Sequence, residues 1–146
     1  MNTYYVLILL ILFSTSSCNQ NRQKTPEELK MELKIQESRN PHQYLKLESI
    51  KLNRNQIKKG GLFSRAKYDG FLISGIIKNS ATLAKYKDLR LTVEYFSKTN
   101  TLLQSKTYTL YEYYEPNSSK DFQLKVYPPD TMQNYNITLF DAAPTY

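Results

Sequence analysis

Several things are scarce in this chain of 146 residues, and each scarcity removes a class of mechanism. One cysteine, Cys18, leaves no partner for a disulfide within the chain. One histidine, His42, leaves no histidine pair for a zinc hydrolase, and its place after Asn40-Pro41 reads as a loop residue rather than a catalyst. There is no Gly-x-Ser-x-Gly elbow, no glycine-rich phosphate loop and no aspartate-rich calcium loop. Tryptophan is absent and glycine is rare. The longest apolar run, Tyr4 to Phe13, falls short of the ~20 residues that cross a bilayer. The expectation is a protein with no cofactor, no metal and no catalytic activity.

What is present favours strands. The 13 tyrosines and 6 phenylalanines suit a pleated, half-buried surface. In Leu89-Arg90-Leu91-Thr92-Val93-Glu94-Tyr95 the apolar residues alternate strictly with polar ones, which sends them to opposite faces of a strand. Several such segments between Phe71 and Val126 predict an all-β fold, an immunoglobulin- or fibronectin type III-like antiparallel β-sandwich of about six or seven strands. Its core should contain Ile73, Leu91, Val93, Phe122 and Leu124, with Arg90 on the opposite face.

The N-terminus carries an address. The run Tyr4–Phe13 has signal-peptide length, and Ser14-Thr15-Ser16-Ser17 precedes the lone cysteine, as small residues do in a lipobox. Residues 1–17 are therefore expected to be a lipoprotein signal peptide, with Cys18 the lipidated first residue of the mature chain; the alternative is a plain secretory signal cut near Ser17, with Cys18 a free thiol. Residues 18–24 then form a polar tether. Thr25-Pro26-Glu27-Glu28 opens a helix as N-cap, first-turn proline and capping-box glutamate, so a short helix is predicted over 25–39; its short, broad apolar stripe of Leu29, Leu33, Met31 and Ile35 favours loose docking on the sandwich, with a free-standing helix as the alternative. The sandwich should span 43–141. The implied location is the cell envelope, with Asn19 after the cysteine favouring the outer membrane. Expected partners are the membrane, through Cys18, and an envelope protein or acidic glycan, with no nucleic acid.

Within the sandwich the first strand, Tyr44 to Leu52, switches apolar parity between Leu47 and Ile50, which predicts a bulge or a sheet crossing near Glu48 or Ser49. Phe71, Ile73, Gly75 and Ile77 should face the core from the second strand, Gly75 marking a close approach or bulge. Asn100 suits the left-handed position of a hairpin turn. Asn53 to Tyr68 reads as a long loop containing Arg54, Lys58, Lys59, Arg65 and Lys67 and no acid. That run either keeps a sheet edge solvated or forms an anion-binding or membrane-facing patch, consistent with a net charge of +7. Tyr111, Tyr113 and Tyr114, on an extended link, are the candidate ring platform for glycan, with packing as the alternative. Glu112 and Glu115 are the nearest thing to a glycosidase carboxylate pair, but three residues apart on an extended chain they point to opposite faces.

Taken together, Ile73-Ser74-Gly75-Ile76-Ile77-Lys78-Asn79, the strand Tyr86 to Ser97, and Glu115-Pro116-Asn117-Ser118-Ser119 followed by Phe122 resemble the FxLYD-like family of immunoglobulin-like domains found in Bacteroidota lipoproteins. The resemblance covers roughly Phe71 to Val126, and departs at Tyr95-Phe96-Ser97, which lacks the aspartate, and at Asn117, which replaces a glycine. It implies an exported sandwich acting as a structural or protein-interaction module. A ligand-binding module for glycan or anionic polymer is the alternative.

Overall fold

The computed structural model describes residues 23–146, so the leader, Cys18 and the first part of the tether lie outside the described residues. Among the described residues two helices precede six strands: α1 (Pro26–Arg39), α2 (Pro41–Tyr44), β1 (Leu45–Lys58), β2 (Lys67–Asn79), β3 (Lys85–Phe96), β4 (Leu102–Tyr114), β5 (Ser118–Val126) and β6 (Asn134–Thr145). The strands form two antiparallel sheets, ordered β1-β2-β5 and β4-β3-β6. The chain crosses between sheets after β2, β4 and β5.

One core joins the two sheets. Leu45, Ile73, Ile77, Phe122 and Val126 from the first sheet meet Tyr86, Leu89, Leu91, Val93, Tyr95, Tyr114 and Ala142 from the second. Of the five predicted core residues, Ile73, Leu91, Val93 and Phe122 are buried and Leu124 is half-buried against them. Arg90 lies on the outer face, paired with Asp141.

The parity switch in β1 is a bulge. Glu48 pairs with Ile76 and Lys51 with Ser74, so Ser49 and Ile50 together oppose Gly75, and Ser49 has φ 53°. Gly75 fits there because a Cβ would stand 3.0 Å from Glu48 O and 2.5 Å from Ile50 Cδ1. A second bulge, absent from the alternation, lies in β3 against β6: Lys87 pairs with Ala143 and Arg90 with Asp141, so Asp88 (φ 51°) and Leu89 together oppose Ala142, and Tyr86 and Leu89 both face inward. Asn100 (φ 57°) and Asn117 (φ 50°) take the left-handed positions of their turns.

Four boundaries differ from the sequence reading. The loop expected over 53–68 is mostly strand: β1 continues to Lys58 and β2 begins at Lys67, leaving 59–66 as the connection. The residues of β1 from Asn53 to Lys58 are mostly exposed, and a strand wetted on both faces carries no period-two signal. The link through Tyr111 is the end of β4, which a three-residue turn at 115–117 joins to β5. The last strand runs past 141 to Thr145, and His42 sits in the short helix α2.

Helix α1 has the predicted start, with Thr25 Oγ1 accepting from Glu28 N (3.2 Å) and Glu28 Oε2 accepting from Thr25 N (2.8 Å). Its docking differs from the expected loose apolar contact. Leu29, Met31 and Ile35 are exposed, and the buried residue is Glu37. The Glu37 carboxylate accepts from three consecutive backbone amides of the β2–β3 connection: Thr82 (2.6 Å), Leu83 (2.9 Å) and Ala84 (2.6 Å). Its carbonyl accepts from Tyr86 Oη (2.8 Å). Buried Asn79 completes the connection, donating to Ala84 O and Tyr114 O and accepting from Ala81 N. At the other end of the chain, Tyr146 Oη donates to Lys34 O (2.6 Å) while Lys34 Nζ sits 4.2 Å above the Tyr146 ring. The helix is thus joined through its last turns to one end of the sandwich.

Candidate functional site: the end remote from the helix

The strand register gives the molecule two distinct ends. At one lie α1, α2, the β2–β3 connection and the 115–117 turn. At the other lie the 59–66, 97–101 and 127–133 connections, because β2 begins there, β5 ends there against Phe71, and Gln133 N donates to Phe96 O. Strand β2 has 13 residues, so about 40 Å separates the ends at ~3.3 Å per residue.

The predicted basic residues all belong to the second end or the strands leading to it. Arg54 and Lys58 are on β1, Lys67 begins β2, and Lys59 and Arg65 flank the tip. Lys58 and Lys67 are direct cross-strand partners, an arrangement of like charges that costs a hairpin stability. None of the five forms an ion pair among the described residues, and the Arg54 guanidinium lies 5.9 Å from the Tyr68 ring. The next acid, Asp69, is already satisfied: its carboxylate accepts from Lys125 Nζ and from Tyr127 Oη (3.1 Å). The hydrogen bond from Lys125, then that from Tyr127, holds the Asp69 carboxyl below the usual carboxylate range, and Asp69 holds the Lys125 ammonium above its own.

Two features of this end were not singled out in the sequence. The first is the hairpin apex, where Gly61 and Ser64 exchange backbone hydrogen bonds (2.8 and 3.2 Å), leaving Leu62 and Phe63 as the two turn residues. They are 95% and 98% exposed, where turns ordinarily carry Gly, Asn or Asp. The second is a groove of about 430 Å³ between the beginning of β2 and the chain leaving β5. Tyr68, Tyr127, Pro128 and Pro129 supply ring and proline surface, Phe71 and Met132 lead toward the core, and Arg54 and Asp130 supply charge. The dipeptide Pro128-Pro129 beside a tyrosine was the available signal, but Arg54 and Tyr127 come together only through sheet pairing.

The tyrosine platform expected on β4 does not assemble. Tyr114 is buried in the core, and its hydroxyl finds no hydrogen-bond partner among the described residues. Burial pushes its phenol pKa up, as it does for Tyr86 and Tyr95. Tyr113 is covered by Lys85 Nζ at 4.5 Å from the ring centre, so Tyr111 alone, 82% exposed, presents a free face. Glu112 and Glu115 each pair with a lysine, Lys120 (2.7 Å) and Lys85 (2.6 Å) respectively. Among the described residues no cluster of three or more His, Cys, Asp or Glu side chains is placed to hold a metal ion. No helix among them is long and apolar enough to cross a membrane.

No family model, curated protein or solved structure matches the chain.

Proposed function

We propose that the chain is a lipid-anchored protein of the cell envelope, held through Cys18, and that its sandwich is a non-catalytic module for binding a protein partner at the end remote from the anchor. Outer-membrane sorting is part of the same reading. The strand orders β1-β2-β5 and β4-β3-β6 support an immunoglobulin-like sandwich of the FxLYD-like kind, since they follow from Greek-key crossings in a two-sheet fold.

The groove at Arg54, Tyr68 and Tyr127 carries this reading. Tyrosine and arginine are the residues over-represented where interfaces derive most of their energy, and an aromatic groove beside a cation suits an extended segment carrying an acidic residue. The helix joint gives the groove a platform, because three amides on one buried carboxylate resist hinging where the helix meets the sandwich.

A photo-cross-linking residue placed at Tyr127 in cells should give a discrete adduct, and one at Tyr111 on β4 should not. Arg54→Ala should weaken the Tyr127 adduct. Absence of any adduct at Tyr127, or the same adducts from both positions, would refute groove-mediated partner binding.

A further inference from the structure

We propose that the β1–β2 hairpin is a membrane-docking element, inserting Leu62 and Phe63 between the head groups of an anionic lipid surface while its cations bind the surrounding phosphates. This does not depend on the groove. The two largest side chains at the apex lie almost wholly in water, held by the Gly61–Ser64 pair, and touch no part of the core. Folding does not require them there: a two-residue turn forms more readily from Gly or Asn, and exposed apolar side chains at a tip have their free-energy gain still to make. Around them Lys58, Lys59, Arg65 and Lys67 form a collar with no ion-pair partner among the described residues, with Lys58 and Lys67 opposed in register.

The combination selects the occupant. An acidic polysaccharide or acidic protein would engage the collar but has no use for a leucine and a phenylalanine projecting beyond it. A bilayer offers both layers in the matching order, phosphates outside and hydrocarbon within, which is how interfacial elements with basic and apolar faces bind. Lysine and arginine stems extend along such a surface while their charged heads stay at phosphate level.

Geometry adds a consequence that rests on the N-terminal anchor. The helix joins the sandwich at the opposite end from the tip, about 40 Å away by the length of β2, which has 13 residues. The tip thus lies at the end of the sandwich opposite the helix that leads to the N-terminus, which places it to reach a second membrane.

The test uses the full chain. Donor vesicles carrying it are mixed with protein-free acceptor vesicles, and clustering is followed by light scattering. Acceptors containing phosphatidylglycerol should cluster, more strongly at low than at physiological salt, where the Debye length is ~8 Å, and acceptors of phosphatidylcholine alone should not. Leu62→Ser with Phe63→Ser should weaken clustering by on the order of a hundredfold, with the melting temperature unchanged because neither residue is in the core. Changing Lys58, Lys59, Arg65 and Lys67 to Gln should weaken it by about fivefold per cation at low salt. Clustering that survives the Leu62/Phe63 change would overturn insertion and leave a plain polyanion patch. Equal clustering with both lipids, or none with either, would overturn the proposal altogether.

Discussion

Glu37 is the residue on which the joint between helix and sandwich depends, and its removal can be worked out bond by bond. Its carboxylate accepts from Thr82, Leu83 and Ala84 amides at 2.6, 2.9 and 2.6 Å, and it is fully buried. In Glu37→Gln one oxygen remains. Turned toward Leu83 and Ala84, which share Oε2, it keeps two bonds and sets the new NH2 group against the Thr82 amide. One buried donor then faces another donor, a cost of about 2 kcal/mol. Glu37→Ala removes all three acceptors. Hydrogen bonds to charged groups contribute about 1.5–3 kcal/mol each, and water entering at the edge of the joint replaces part of them, so the net loss should be about 3–5 kcal/mol. That is a large share of the 5–15 kcal/mol typical of a folded domain. Urea unfolding measures both variants, and amide exchange at Thr82, Leu83 and Ala84 should speed up first. If Glu37→Ala stayed within about 0.5 kcal/mol of the parent with those amides still protected, the carboxylate would not be what docks the helix.

Other perturbations follow from the same packing. Leu91→Ala should cost about 2–5 kcal/mol in denaturant unfolding because its site is closed by both sheets, whereas Arg90→Ala, next to it on the wet face, should cost under about 1 kcal/mol; equal losses would contradict the facing of β3. Gly75→Ala should cost about 1–3 kcal/mol, since the new methyl group meets Glu48 O and Phe122 Cε1 at 3.0 Å, and a neutral result would mean that the β1 bulge relaxes freely. Asp69 and Asp141 have depressed carboxyl pKa values in the fold, held down first by hydrogen bonds from Lys125 and Arg90 respectively, so their small stabilising contribution is present above about pH 4 and lost as pH falls below it. Tyr86, Tyr95 and Tyr114 are raised by burial, so the unfolded chain ionises first and the unfolding midpoint should drop as pH rises above about 10.

How much of this was legible varies with the range of the interaction that decides it. The alternation of Leu89 to Tyr95 is a property of neighbours, and it gave the facing of β3 correctly. The parity switch at Ser49 was visible because apolar residues flank it on both sides; the bulge at Asp88 was not, since Tyr86 read as the start of a strand rather than as a core residue out of phase. Glu37 looked like any helical surface glutamate, for its partners lie 45 to 47 residues away. The basic residues were recognised as a cluster, but Asn, Gln and Lys on a strand wetted on both faces read as loop. The apex Leu62-Phe63 was therefore not separated from its surroundings. Tyr114 differs from Tyr113 by one residue and so by one face, and that step moves it from surface to core.

The central claim is that the working surface lies at the end remote from the helix, and amide hydrogen exchange on the protein in native membranes tests it most directly. Compared with the same protein in detergent, residues 59–66 and 127–133 should be protected in the membranes while 80–84 and 115–117 exchange alike in both. Protection confined to the helix end, or no difference at either end, would contradict the account.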